Sequence, residues 1–319
     1  MVKDKSQPPI GWGEIALPPD VTISPEAIVR ELKTLTYGLE PFAPDFIDRL
    51  DERQPNPRYR NGLVGAVLTA KAMEENIPLA DFLAGKPGFQ TVKVNGFLET
   101  LPPQEAVDRV SYLVETGIEV VKLKCSRDVQ ADLERVAAVA EAFPTLKLRL
   151  DPNGVWDECD CVAIFKQLQK FPIEYIEEPI PIRQNLSRLR ELRQIIPIAA
   201  DHWGNTKADL EDIIRSQAVD RLVLKSQVCG GPDRTHALAN AAFESGLDCT
   251  VTASLETLVG ITVALHCAAS LPNNDCAHGL HLWDYIQPNV FESPKVKNGR
   301  ISLPENPGLG FVPSMRNGG

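Results

Sequence analysis

The chain is 319 residues long, 43% hydrophobic and 24% charged, with a formal net charge of −10, the composition of an ordinary globular protein with one large core or two smaller ones. The acidic balance without a basic cluster argues against nucleic acid and anionic membranes as partners, but a small anionic substrate feels the local site rather than the net charge. No window is apolar for long enough to span a bilayer, and the opening MVKDKSQPPIGWGE carries neither the apolar core of a signal peptide nor an Arg-rich amphipathic pattern, so a cytoplasmic protein is expected.

Residues 1–90 predict a small capping domain. ISPEAIVRELKTLTYGL and RNGLVGAVLTAKAMEE read as helices, separated by the Pro-rich PFAPDFIDRLDERQPNP. From residue 91 the pattern changes. Short apolar, β-branched runs alternate with helical stretches: VKVNG, VVKLK, LKLRLD, IEYIEE, IPIAAD, DRLVLK, DCTVTAS and CAHGLH. Two of the helices between them open on Pro and close on Gly, PPQEAVDRVSYLVETG and GPDRTHALANAAFESG, and DVQADLERVAAVAEAF is apolar at Leu133, Val136, Ala140 and Phe143. Eight strands alternating with helices imply parallel pairing, and a closed (β/α)8-type barrel over residues 91–281 suits them better than an open sheet. The turn-rich segment 282–319 is expected to return to the cap. Seven scattered cysteines fit a reducing compartment. The pair Cys159 and Cys161 lacks zinc-site spacing and a second pair to complete it.

Five consecutive strand runs end on an ionisable residue: Lys124, Asp151, Glu177, Asp201 and Lys225, one every 24 to 27 residues. A single strand-end aspartate ordinarily caps the next helix, which does not explain five in register. In a barrel these ends form the catalytic mouth. Three carboxylates there drive one another's pKa upward unless a cation lies among them. All-oxygen donors point to a hard ion, with Mg²⁺ favoured over Ca²⁺ and Mn²⁺ as the alternative. Lys122 and Lys124 share one face of their strand, and Lys225 enters from across the barrel. A lysine beside another cation is lowered toward neutrality and can act as a general base. This set suits removal of a proton next to a carboxylate, with the metal stabilising the enediolate that forms.

The motifs KLK, LRLDPNGVW, YIEEP, IAADHW and LVLKSQVCGG, with GWGEIALP, VNGFLE and TASLETLVGI, resemble in order and spacing the muconate-lactonizing subgroup of the enolase superfamily. The resemblance implies a modified TIM barrel with a smaller α+β cap at its N-terminal side. Family members begin with cap strands ahead of GWGE, which here starts at residue 11, so the cap is expected to lack its first strands and the lid to be incomplete. Within the subgroup, GWGEIALP, LRLDPNG and SLETLVGIT most resemble the dehydratases of menaquinone and phylloquinone biosynthesis. That implies syn elimination of water from 2-succinyl-6-hydroxy-2,4-cyclohexadiene-1-carboxylate.

By position, the resemblance makes Asp151, Glu177 and Asp201 metal ligands, with Glu178 the competing acid of EEP. It makes Lys124 the base, Lys122 its neighbour and Lys225 the lysine that stabilises the enediolate. Asn153 orients the metal site or makes a turn. Gly230 and Gly231 admit the substrate carboxylate or make a turn, and Ser254 and Glu256 meet the succinyl part. His202 would point away from Asp201 in an extended strand, which suits packing or a supporting place behind the ligands rather than catalysis, and His266, on an apolar helix, is expected to be structural. Two other readings stay open: an N-acylamino acid racemase or dipeptide epimerase using Lys124 and Lys225 as opposed acid and base, and a non-catalytic metal-binding remnant.

Overall fold

The computed structural model describes residues 10–282 and 294–310; the stretches MVKDKSQPP, WDYIQPNVFES and FVPSMRNGG, the last two belonging to the segment expected to return to the cap, lie outside the described residues. After an extended segment come four helices, α1 (Pro25–Thr36), α2 (Phe46–Asp51), α3 (Pro57–Glu74) and α4 (Leu79–Ala84). The order continues with β1 (Thr91–Lys93), β2 (Gly96–Leu98), α5 (Pro103–Glu115), β3 (Val120–Lys124), α6 (Val129–Ala142), β4 (Lys147–Asp151), α7 (Cys161–Leu168), β5 (Ile173–Glu177) and α8 (Leu186–Leu192). It ends with β6 (Ile198–Ala200), α9 (Lys207–Ser216), β7 (Arg221–Leu224), α10 (Ser226–Cys229), α11 (Pro232–Glu244), β8 (Asp248–Val251), α12 (Leu258–Ala269), β9 (Val296–Lys297) and β10 (Arg300–Ser302).

Strands β2 to β8 form one parallel sheet in sequential order, with helices on its outer face. The strands are apolar because helices cover one side and inward side chains fill the other. Helix ends follow local chemistry. Pro57 opens α3 behind Asn56, whose side chain accepts from Arg58 N, and the Thr206 hydroxyl caps α9 at Asp209 N. The expected eighth strand, CAHGLH, closes the barrel through single bridges rather than a ladder. His278 N donates to Lys93 O (2.8 Å) and Gly279 N to Val251 O (2.9 Å).

The first run is placed differently from its expectation. Val92 and Lys93 pair antiparallel with Ile301 and Arg300, and the barrel strand starts only at Gly96. The resulting small sheet, ordered β1-β10-β9, turns at Asn298 and Gly299, both at positive φ (52° and 67°). It closes on Gly117, where a Cβ would stand 2.6 Å from Asn298 Cα. Among the described residues the part before residue 91 contains helices and no strand. It shares one continuous apolar core with the barrel, from Leu39 and Phe46 through Leu123, Leu150 and Ile176 to Leu309.

Candidate active site

Parallel register brings the strand-end charges together. Lys124 pairs with Asp151 across β3 and β4, and Glu177 with Ala199 across β5 and β6. Asp201 and Lys225 follow the last residues of β6 and β7. Lys122 Nζ lies 2.8 Å from Asp151 Oδ2 and 2.7 Å from Glu177 Oε1. Lys124 Nζ lies 2.6 Å from Asp151 Oδ2, and Lys225 Nζ 2.5 Å from Asp201 Oδ1. All three acids are buried.

Burial alone would lower the Lys122 pKa, but Glu177, Asp151 and Asp201 outweigh it and hold the ammonium well above the ordinary lysine value. The nearest charges to Lys122 are carboxylates, and they hold it as an ammonium that pairs the acids of this layer. Asp151 is likewise held below the usual range: burial opposes ionisation and the two lysines overcome it. Glu177 moves the other way, pushed up by burial and by Asp151, and its Oε2 is buried with no hydrogen-bond partner. Among the described residues no three acid, histidine or cysteine side chains are gathered closely enough to hold a metal. The donor chemistry still fits a hard cation, since an unpartnered buried carboxylate oxygen is costly unless a positive charge reaches it. Glu178 is turned aside by a left-handed backbone (φ 48°), and its Oε2 accepts from Asp201 N and His202 N.

The barrel floor fixes this layer from below. Arg149, fully buried, donates to Glu174 Oε2 (2.6 Å), Asn95 Oδ1 (2.9 Å) and Ala277 O (2.7 Å). It stacks on Tyr175 at 4.8 Å.

A cavity of about 430 Å³ opens above these groups. Lys122, Lys124, Asp151, Asn153, Asp201, Lys225 and Ser254 line it. Asn153 occupies a left-handed turn (φ 53°), and its N–H donates to Asp151 Oδ1 (3.2 Å). Gly230 and Gly231 are not in the lining; they face α3, where Gly230 O accepts from Arg60 Nη1 at 2.6 Å. Their positive φ values (91° and 141°) serve that packed turn. Glu256 is also outside the lining, with its Oε2 accepting from Ser254 N. His266 is buried and accepts from Ala80 N.

Several lining residues escaped the sequence reading: Arg58, Phe97, His202, Leu255, His281 and the stretch 16–19. His202 was expected to face away from Asp201. Strand alternation stops at Ala200, and the ring turns into the mouth with Nε2 3.8 Å from Asp201 Oδ2. The stretch 16–19 is delivered by a strap anchored at Glu14, whose carboxylate accepts from Thr257 N (2.7 Å) and Gly260 N (2.7 Å) at the start of α12. GWGE holds the signal for this anchor, an acid next to glycines that allow close approach, but its partners lie in a remote helix.

Glu256 supplies a pH test. Burial, then the neighbouring Glu14, push its carboxyl up to about 8. A carboxyl raised in the folded state binds a proton that the unfolded chain releases near its ordinary value, so stability falls as pH rises from about 4.5 toward 8. Glu256→Gln keeps the shape and removes the titration. Its melting temperature should match wild type near pH 4.5 and exceed it by several degrees at pH 8, followed by calorimetry. A difference that does not vary with pH would mean that Glu256 is ionised in the folded protein.

Residues 105–317 match the family of enolase C-terminal domain-like proteins. The chain is 32% identical over 212 residues to an o-succinylbenzoate synthase of Thermobifida fusca, spanning 65% of this chain and 65% of that protein, just under two thirds of its length. It is 26% identical over 278 residues to a hydrophobic dipeptide epimerase of Enterococcus faecalis, covering 83% of this chain and 77% of the other. The muconate lactonizing enzyme of Pseudomonas putida superposes with a TM-score of 0.85 at 23% identity, covering 94% of this chain and 87% of that one, a likeness of fold.

Proposed function

Since the chain belongs to the enolase C-terminal domain-like family, we propose that it is a lyase of the o-succinylbenzoate synthase type. In this reading it removes water from 2-succinyl-6-hydroxy-2,4-cyclohexadiene-1-carboxylate to give the aromatic 2-succinylbenzoate, a step of menaquinone or phylloquinone formation. The observation that carries the reading is the set of Lys124, Asp151, Glu177, Asp201 and Lys225 on consecutive strand ends, joined by Lys122 from within β3, beneath one cavity. The similarity to the Thermobifida fusca synthase supports the choice of reaction.

Lys124, at the cavity edge of β3, takes the proton from the carbon that bears the substrate carboxylate. In a syn elimination the hydroxyl leaves from the same face, so the ammonium formed on Lys124 can return that proton to the departing hydroxide, and proton and hydroxide leave together as water. Lys225, on the far strand, offers a positive charge to the ring as electron density accumulates. The strap residues 16–19 narrow access of water to the mouth. Asp151, Glu177 and Asp201 would hold Mg²⁺, with Mn²⁺ a substitute; the bound ion supplies Lewis-acid stabilisation of charge on the substrate carboxylate.

The reading is tested by following loss of diene absorbance with purified protein, with and without Mg²⁺. Metal-dependent aromatisation is expected. No aromatisation, together with deuterium entering the α-carbon of N-acylamino acids or dipeptides from solvent, would move the protein to the racemase or epimerase reading that its similarity to the Enterococcus faecalis enzyme supports. Asp151→Asn, Glu177→Gln and Asp201→Asn should each weaken Mg²⁺ affinity by about 10-fold or more in calorimetric titrations. Unchanged affinity in all three would remove the metal assignment.

A further inference from the structure

One cationic side chain of the cavity has no part in the chemistry above. Arg58, in the first turn of α3, is half-buried on the wall that the N-terminal helices contribute. Its Nη1 donates to the Ala16 carbonyl, and among the described residues no carboxylate forms an ion pair with it. The lysines differ in this respect. Each is matched by Asp151, Glu177 or Asp201, so that layer is close to neutral as a whole.

The acid whose field reaches Arg58 is Glu256. With its carboxyl raised to about 8 by burial and by Glu14, Glu256 is largely uncharged at neutral pH and leaves the guanidinium uncompensated. A partly buried cation without a counter-charge is unfavourable, and a bound anion relieves it. The cavity that Arg58 and the lysines share also presents apolar surface, including Leu17, Phe97 and Leu255.

We infer that Arg58 receives the distal carboxylate of the substrate, the one on the arm remote from the reacting carbon, while Leu17, Phe97 and Leu255 contact its carbon frame. The inference rests on the reading of this cavity as the binding site of a carboxylate substrate. The guanidinium suits the task, because its planar fork has N–H groups to spare beyond the one that Ala16 accepts. Arg58 is thus a specificity-determining residue that selects dicarboxylates.

The test uses matched pairs that differ in the distal carboxylate alone: 2-succinylbenzoate against 2-butyrylbenzoate, and N-succinylphenylalanine against N-butyrylphenylalanine. Each is titrated calorimetrically, with Mg²⁺ present, into the wild-type protein and into Arg58→Gln and Arg58→Lys. In at least one pair the dicarboxylate should bind wild type about 10- to 100-fold more tightly. That preference should vanish in Arg58→Gln and largely persist in Arg58→Lys, with monocarboxylate affinity unchanged. Glutamine retains a donor for the Ala16 carbonyl, so loss of preference in it is not collapse of the strap. Equal affinities within both pairs, no binding by any of the four, or a preference that survives Arg58→Gln would overturn the inference. An Arg58-dependent preference in the N-succinyl pair without aromatisation of the cyclohexadiene would reject the lyase reading alone. Aromatisation without any such preference would reject the role of Arg58 alone.

Discussion

Replacement of Lys124 by alanine is expected to lower turnover by roughly 10³-fold or more, the scale of a lost general base, with little change in melting temperature or Mg²⁺ affinity. Lys124 is the lysine on which this experiment is clean. Its side chain is 31% exposed and makes one ion pair, with Asp151, which keeps Lys122 at 2.8 Å when Lys124 is gone. Lys122 is 12% exposed and joins Asp151 to Glu177, so its loss would leave two buried acids facing each other and confuse catalysis with stability. A Lys124→Ala variant that turns over within about tenfold of wild type would place the base elsewhere. In the epimerase reading, Lys124→Ala and Lys225→Ala would each block solvent exchange from one stereoisomer, which isotope measurements separate.

The largest expected loss of stability comes from Arg60→Ala. Arg60 is buried between α3, α2 and α11. Its Nε lies 2.5 Å from Asp51 Oδ1, its Nη2 2.9 Å from Asp233 Oδ2, and its Nη1 donates to Gly230 O. Burial pushes Asp51 up, but Arg60 and then Arg234 outweigh it and hold that carboxyl below its ordinary value. Truncation would leave Asp233 without its ion-pair partner and Asp51 with Arg234 alone, which costs about 3 kcal/mol when discounted for their contact with water. A fall in melting temperature of roughly 5–10 °C follows for a chain of this size. Because Asp51 is depressed, the stability it contributes is present above its unfolded pKa and is lost as pH falls through the folded one. Arg60→Ala should therefore also flatten the acid limb of the stability curve. A variant as stable as wild type would show that this ion-pair cluster adds nothing net to holding α3 on the barrel.

The sequence reading succeeded where spacing is enforced by repetition. One strand plus one helix per step leaves little freedom, so a residue that ends one strand lines up with those that end its neighbours. Lys124, Asp151, Glu177, Asp201 and Lys225 are found at or just after strand ends for that reason. What lay outside the repeat could not be placed this way. Arg58 and the stretch 16–19 reach the mouth through tertiary contacts that no local period encodes. Gly230 and Gly231 carry the composition of a ligand-facing turn, yet a glycine-rich turn packs equally well against an arginine from another helix, and here it does. His202 was misplaced by extending strand alternation one residue too far. The segment CAHGLH had the right place in the order but forms bridges in place of a full strand.

The strap at Glu14 has a consequence for how the protein is made. Its carboxylate is held by groups 243 and 246 residues further along the chain, and the Asn95 amide bonds His278 O across the barrel seam. Contacts with such separations close long loops and form late. On the ribosome, the strand-end acids and lysines up to Lys225 emerge well before α12 exists to receive the strap. A nascent chain therefore passes through a stage at which its reactive groups are assembled under an open mouth. Protection of the cavity from solvent arrives only once Thr257 and Gly260 have been made.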